Sequence, residues 1–150
     1  MDMISSLQNP KIKQVIKLRE ARERKKEGLI LIEGRKEIGL AVEAGIKIET
    51  LFYCEEFAGK ENKIIAELGD KVVFVSEKVF KKIAYRENPD GFLTLARPKF
   101  LKLAGIKLSK NPLLIVLEAV EKPGNLGAVL RSADAAGADA VMICDKRTDI

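Results

Sequence analysis

Apolar and polar residues follow a helical spacing near the start of the chain. In "LQNPKIKQVIKLREARERKKEG", Asn9 suits a helix N-cap, Pro10 suits the first turn, and Gly28 suits the end. The apolar stripe of this helix is Ile12, Val15, Ile16 and Leu18. The stripe stops before "REARERKK", so the pattern predicts one helix from Pro10 to Gly28 whose second half faces solvent.

Short apolar runs then alternate with helical patterns as far as residue 97. The strand candidates are "LILIE", "IKIETLFYC", "KVVFV" and "FLTLA", and the helix candidates are "GRKEIGLAVEAG", "KENKIIAEL" and "EKVFKKI". Gly45 suits the end of the first of these helices, Ser76 can cap the third, and "RENPDG" is a turn. Strands alternating with helices predict a small α/β domain over residues 1–97.

The pattern of apolar and polar residues changes after Arg97. "RPKFLKLAGIKLSKNP" has proline near both ends and no clear period, which predicts a linker over residues 98–111. "LLIVLE" and "AVMIC" then read as parallel strands that flank a helix, a βαβ unit within residues 112–150. Because buried parallel strands need more layers than one helix provides, we expect this second α/β domain to be incomplete.

The helix of that unit lies in "EKPGNLGAVLRSADAAGAD". We expect Pro123 and Gly124 to form a turn, Asn125 to be the N-cap and Gly137 to end the helix. The expected buried face is Leu126, Val129, Leu130 and Ala133.

Gly127 precedes Arg131 by four positions, which places both on one helix face with open space before the arginine. Ordinary alternatives exist: a surface pair of Arg131 with Asp134, tight helix packing at Gly127, and a simple cap at Asn125. The GxGxxG and GxxxxGK[ST] phosphate motifs are both missing here.

The positive charge of the chain is concentrated near its start. The net charge is +5, and residues 1–36 hold ten Lys or Arg against five Asp or Glu, whereas the remainder holds 17 of each sign. This segment predicts a polyanion partner, RNA or DNA before membrane lipid. The alternative is a solvated face that Glu20, Glu23 and Glu27 partly neutralise.

Composition excludes several kinds of chemistry. The chain has no histidine, so Ser/His, Cys/His and His-ligated metal mechanisms are excluded within it. Cys54 and Cys144 are far apart and outside any CxxC motif, which predicts buried reduced thiols and no metal site. With no long apolar run and no signal-like segment, we expect a cytoplasmic protein without a membrane partner.

"NLGAVLRSADAAGA", after "LLIVLEAVEKPG", resembles the first motif of SpoU-type (TrmH-like) RNA ribose methyltransferases of the SPOUT superfamily, N-x-G-x-x-x-R-[ST]-A-x-A-x-G. Six of the marked positions are Asn125, Gly127, Arg131, Ser132, Ala133 and Gly137. "ISSLQNPKIKQVIKL", "LILIEG" and "NPDGFLTLARP" resemble the substrate-binding domain of that family, a small α/β fold similar to RNA-binding ribosomal proteins.

The resemblance implies methyl transfer from S-adenosylmethionine to a ribose 2′-hydroxyl, in ribosomal RNA before transfer RNA. It implies that Arg131 acts at the hydroxyl and its phosphate, that Asn125 shapes the site, and that the enzyme pairs as a homodimer. The cofactor loop of the trefoil-knot domain is then expected beyond Ile150, so the 150 residues alone are expected to be inactive.

Phosphate contacts in the substrate-binding domain are expected from basic residues of its first 36 positions, which position RNA more than they read its sequence. These residues are Lys11, Lys13, Arg22, Arg24, Lys25, Lys26 and Arg35. Two alternatives remain open: a non-catalytic RNA- or ribosome-binding module, and a small-nucleotide-binding βαβ protein unrelated to RNA.

Overall fold

The computed structural model describes residues 3–60, 63–99, 102–145 and 147. The chain divides into two compact units, Met1–Lys99 and Phe100–Ile150. Both contain helices and strands, and the expected α/β class is confirmed. The linker over residues 98–111 stays a prediction.

Unit 1 is a mixed four-stranded sheet between helices. Its helices are α1 (Pro10–Lys17), α2 (Ala21–Glu27), α3 (Arg35–Glu43), α4 (Glu55–Ala58), α5 (Lys63–Leu68) and α6 (Glu77–Ile83). Its strands are β1 (Ile30–Glu33), β2 (Lys47–Tyr53), β3 (Val72–Phe74) and β4 (Phe92–Arg97), in the spatial order β1-β4-β2-β3. Strand β4 runs antiparallel to β1 and β2, whereas β2 and β3 are parallel.

Alternation along the strands gives the sheet two apolar faces. One face buries Phe52 and Leu93 against Val15 of α1 and Phe80 of α6. The opposite face carries a separate cluster in which Leu51, Tyr53 and Phe92 pack with Ile38 of α3. The stripe expected on the first helix therefore forms core, since Ile12, Val15 and Leu18 are fully buried. Burial of one such side chain contributes about 1.5–3 kcal/mol.

The expectation of a single helix from Pro10 to Gly28 is wrong. Helix α1 ends at Lys17 and α2 starts at Ala21, because Glu20 is extended, with φ −83° and ψ 130°. The guanidinium of Arg24 donates from Nη1 to the carbonyl oxygens of Leu18 and Arg19, at 2.9 and 2.7 Å, and so satisfies groups that the break leaves exposed. Gly28, at φ 62°, ends α2 as expected, and α2 buries none of its residues.

Unit 2 contains β5 (Leu114–Glu118), α7 (Pro123–Ala135) and β6 (Ala140–Cys144). The strands pair in parallel, with Val116 opposite Met142, which confirms the expected strand, helix and strand. The carboxylate of Asp139 accepts hydrogen bonds from the backbone N–H groups of Ser109 and Leu113, at 2.6 and 2.9 Å. These bonds fix the approach to β5, and hydrogen bonds from Ser109 and then Leu113 lower the pKa of Asp139.

Apolar residues of unit 2 are less covered than the sequence indicated. Leu126 and Ala133 of α7 are buried as expected. Leu130 is 43% exposed, so the prediction that it belongs to the buried face is wrong. Leu114 and Val116 of β5 are also exposed, at 40% and 59%. Their side chains share one face of the strand, and the half-buried Ile115 and Leu117 lie on the other face.

Candidate active site and nucleic-acid interface

Helix α7 begins directly at Pro123, with Lys122 as its N-cap residue. The expectation that Asn125 is the N-cap is therefore wrong: Asn125 is the third helical residue, and its backbone N–H donates to the carbonyl of Lys122 at 3.0 Å. Proline is well suited to a first helical position because its φ is already helical and it has no N–H to satisfy. Gly137, at φ 68°, ends the helix as expected.

Arg131 folds back over Gly127 on the surface of α7. A Cβ atom added to Gly127 would lie 3.4 Å from Nη1 of Arg131, the nearest atom beyond its chain neighbours and the local backbone of α7. The space that the glycine leaves is thus partly taken up by the guanidinium itself. Arg131 is exposed, and within the described part of the chain it forms no ion pair with Asp134.

Asn125 and Arg131 do not share a face of α7. Six positions separate them, which corresponds to about 120° around an ideal helix. Both side chains are exposed. The helix alone therefore brings together Gly127 and Arg131, and it directs Asn125 elsewhere.

Metal-binding clusters are missing among the described residues, where no three His, Cys, Asp or Glu side chains are grouped to hold an ion. In the same ranges no helix has the length and apolar character needed to cross a membrane.

The two cysteines differ in exposure. Cys54 is buried, but Cys144 is exposed, so the expectation of two buried thiols is wrong for Cys144. Desolvation, followed by hydrogen bonding to Glu56, raises the pKa of Cys54 to about 12.

The residues expected to contact RNA lie on three elements of unit 1. Lys11 and Lys13 belong to α1, Arg22, Arg24, Lys25 and Lys26 to α2, and Arg35 to the start of α3. All are exposed except Arg24, which is half-buried and holds the α1 end described above. Arg35 lines a surface groove with Lys36 and Lys63, two cations that the sequence reasoning did not single out.

A second set of residues surrounds a pocket of about 290 Å³ in unit 1, and among them the sequence pointed only to Arg24 as an RNA contact. Arg19, Arg24, Tyr85 and Arg86 line it together with apolar side chains of the sheet and α6. Tyr85 is 88% exposed. The available signal was the dipeptide Tyr85-Arg86 within "AYRENPDG", an aromatic residue next to a cation in a turn.

Carboxylates of β1 and α3 hold the turn that carries Tyr85 and Arg86. Glu33 accepts hydrogen bonds from the backbone N–H groups of Tyr85 and Arg86, at 2.7 and 3.3 Å. Arg86 donates from Nη2 to Glu37 at 2.5 Å. A hydrogen bond from its own backbone, and then the one from Arg86, lower the pKa of Glu37, while the bond to Glu37 raises the pKa of Arg86.

Gly34 makes this arrangement possible. Its φ is +111°, a conformation that side chains rarely adopt. A Cβ atom there would collide with the carboxylate of Glu37 and would lie 2.6 Å from Nη1 of Arg86.

Comparison with known families matches both units. Residues 9–94 match the MRM3-like substrate binding domain, and residues 112–150 match the SpoU rRNA Methylase family. In Bacillus subtilis (strain 168), the 23S rRNA (guanosine(2553)-2'-O)-methyltransferase RlmP is 33% identical over 99% of this chain and 57% of that protein.

Solved structures of RNA methyltransferases are similar to this chain over nearly all of its length. A crystal structure of an RNA 2'-O ribose methyltransferase is 40% identical, with a TM-score of 0.80 over 97% of this chain and 56% of the other. The AdoMet-bound rRNA methyltransferase from Sinorhizobium meliloti is 29% identical, with a TM-score of 0.82 over 99% of this chain and 56% of the other. The chain thus spans just over half the length of these proteins.

Proposed function

Because the chain belongs to the SpoU rRNA methylase family and carries its MRM3-like substrate-binding domain, we propose that the complete protein methylates ribosomal RNA. The methyl group passes from S-adenosylmethionine to the 2′-hydroxyl of a ribose. The observation that carries this proposal is the placement of Arg131 over Gly127 on α7, exposed and without an ion-pair partner among the described residues. The relative from Bacillus subtilis, named as a 2'-O-methyltransferase, supports the same reaction.

The chemistry of methyl transfer to a ribose hydroxyl indicates a role for Arg131. A ribose hydroxyl is a weak nucleophile, and a fixed cation beside it and its phosphate favours the developing alkoxide. A guanidinium presents several N–H donors in a fork that suits a phosphate. Because a guanidinium has donors and no acceptor, it stabilises negative charge and orients the hydroxyl rather than removing the proton. We propose that Asn125 contributes to the shape of the site from an adjacent face of α7.

S-adenosylmethionine supplies an electrophilic methyl group when bound. The residues of β5, α7 and β6 alone do not suit an enclosed cofactor pocket, because such pockets bury most of their ligand, whereas Leu114 and Val116 are exposed. We therefore propose that the 150-residue chain alone binds this cofactor poorly and does not methylate RNA. Calorimetric titration tests the proposal, and micromolar binding by the 150 residues would contradict it.

Unit 1 is proposed to hold the RNA through phosphate contacts. The six exposed candidates are Lys11, Lys13, Arg22, Lys25, Lys26 and Arg35. If Z phosphates are neutralised on single-stranded RNA, the logarithm of the binding constant falls with the logarithm of salt concentration at a slope of about −0.7Z. A salt dependence near zero would contradict these contacts.

Homodimer formation remains a prediction, and sedimentation velocity on the complete protein measures it.

The reaction itself is tested on the complete protein with unmodified ribosomal RNA and S-adenosylmethionine. Digestion of the RNA to nucleosides, followed by mass spectrometry, is expected to show a 2′-O-methylated nucleoside that is missing without enzyme. A methyl group on a base would contradict the proposal. An RNA-binding protein that transfers no methyl group would be the non-catalytic module instead.

A further inference from the structure

We propose that the pocket beside Tyr85 holds one unpaired nucleotide of the RNA, with its base stacked on the Tyr85 ring. The inference rests on the proposed function, since it names the part of the substrate that unit 1 engages. We call this site the Tyr85 pocket. Its apolar lining is formed by Leu31, Ile83 and Leu93, and its charged lining by three arginines and the Glu33 carboxylate, which is engaged by the backbone of Tyr85 and Arg86.

Tyr85 is exposed yet anchored. Among the described aromatic side chains it alone is exposed, at 88%, whereas Tyr53 is buried in the core. Its backbone is held by the Glu33 carboxylate at 2.7 Å, directly after the end of α6. Because the backbone that carries the ring is already fixed, less freedom is lost when a ligand stacks on the ring. Base stacking on aromatic side chains is how proteins commonly hold single-stranded nucleic acid.

Arg19 supplies a fixed cation beside the ring. Its Nη2 atom donates to the carbonyl oxygens of Lys82 and Ala84, at 2.9 and 2.8 Å, and Ala84 immediately precedes Tyr85. In the described part of the chain its Nε and Nη1 atoms form no hydrogen bond, so they are available to a phosphate. Arg86 adds a second guanidinium, oriented by Glu37 at 2.5 Å.

The size and composition of the pocket select the ligand. At about 290 Å³, it lies near the lower limit for small-molecule sites, which suits one base with its ribose. The apolar lining suits the flat face of a base, and the arginines suit the phosphate. Bases inside an RNA duplex are stacked on each other and unavailable to Tyr85. The ligand is therefore a nucleotide in a single-stranded loop or bulge.

Intrinsic fluorescence can test this contact directly. The chain has no tryptophan and two tyrosines, of which Tyr53 is buried with its hydroxyl bonded to the Gly59 carbonyl. Titration of the 150-residue protein with a ten-nucleotide single-stranded RNA of mixed sequence is expected to quench tyrosine emission. The quench should be lost in Tyr85→Phe, while the affinity, measured by anisotropy of labelled RNA, stays within about twofold.

Tyr85→Ala removes the ring and is expected to weaken single-strand binding at least about fivefold. Leu103→Ala is the matched control, because Leu103 is also an exposed apolar residue, at 75%, but lies in unit 2 and not in the unit proposed to hold the RNA. It should bind like the wild type. Thermal melting of each variant checks that the fold is retained, as expected for exposed positions.

Two results would overturn the pocket: saturating RNA that leaves tyrosine emission unchanged, or Tyr85→Ala binding as tightly as the wild type. In either case the wild-type chain can still bind RNA with a steep salt dependence, and the complete enzyme can still form a 2′-O-methylated nucleoside. The proposed function then stands, and only the Tyr85 pocket is ruled out. A wild-type chain that binds no RNA overturns the pocket and the RNA-binding role of unit 1 together.

Discussion

Replacement of Gly127 by alanine should strengthen helix α7 and weaken catalysis at the same time. Gly127 lies inside the helix and is not among the glycines with positive φ, so alanine can adopt its backbone. Glycine in a helix interior is less favourable than alanine by about 0.8–1.0 kcal/mol. Beyond the backbone of its own helix and its two chain neighbours, the added Cβ meets only Nη1 of Arg131 within 4 Å, at 3.4 Å.

The stabilisation should appear as slower hydrogen exchange. A gain of about 0.8–1.0 kcal/mol corresponds to roughly four- to fivefold greater protection of α7 amides that exchange through local opening. The same methyl group limits how closely the Arg131 guanidinium can lie against the helix. Because a misplacement of about 1 Å can cost a hundredfold in rate, we expect a smaller shift to slow methyl transfer about tenfold.

Exchange is followed by mass spectrometry on the complete protein, and methyl transfer under single-turnover conditions. Gly124→Ala is the matched control in the same helix, since a Cβ there meets no atom within 4 Å. It should leave the rate unchanged. The reasoning is refuted if Gly127→Ala exchanges faster than the wild type, or if its rate equals that of Gly124→Ala.

Other positions give further expectations. Gly34→Ala should destabilise unit 1 by about 1–3 kcal/mol, because φ is +111° and the new Cβ is forced against Arg86; a melting temperature equal to that of the wild type would contradict this. Asp139→Asn should loosen the approach to β5 at neutral pH. Because hydrogen bonds lower the pKa of folded Asp139, its carboxylate stabilises the wild type above about pH 4, and this stabilisation is lost as the pH falls through the lowered pKa. Hydrogen exchange of the β5 amides should then become equal in the wild type and Asp139→Asn, and a difference that persists after the carboxylate is protonated would refute the reasoning. Cys144 should react with a thiol reagent at pH 8 in the folded protein while Cys54 stays unlabelled until denaturant is added, and equal labelling rates would be the contrary result.

Much of the fold was predictable because apolar spacing fixes which side chains form the core. The strands of unit 1 and the stripe of Ile12, Val15 and Leu18 were found this way, and all three side chains are buried. The break after α1 was not, because the carbonyl of Leu18 that it leaves exposed is satisfied by a side chain, the guanidinium of Arg24 six positions later. Sequence spacing does not show such a bond.

The candidate active site was found only in part for a similar reason. The helix spacing correctly joined Gly127 and Arg131, but a proline two positions earlier, Pro123, displaced Asn125 from the N-cap. The Tyr85 pocket was missed because Tyr85 and Arg19 are far apart in sequence. They meet only because Arg19 binds the carbonyl oxygens at the end of α6.

The central claim is that Arg131 promotes methyl transfer to a ribose 2′-hydroxyl. The most direct measurement is the single-turnover rate of 2′-O methylation by the complete protein, its Arg131→Ala variant, and Lys107→Ala as a control for loss of an exposed cation in the same unit. Removal of such a stabilising donor is expected to lower the rate about 100-fold or more, with Lys107→Ala unchanged. An Arg131→Ala rate equal to that of the wild type would contradict the claim.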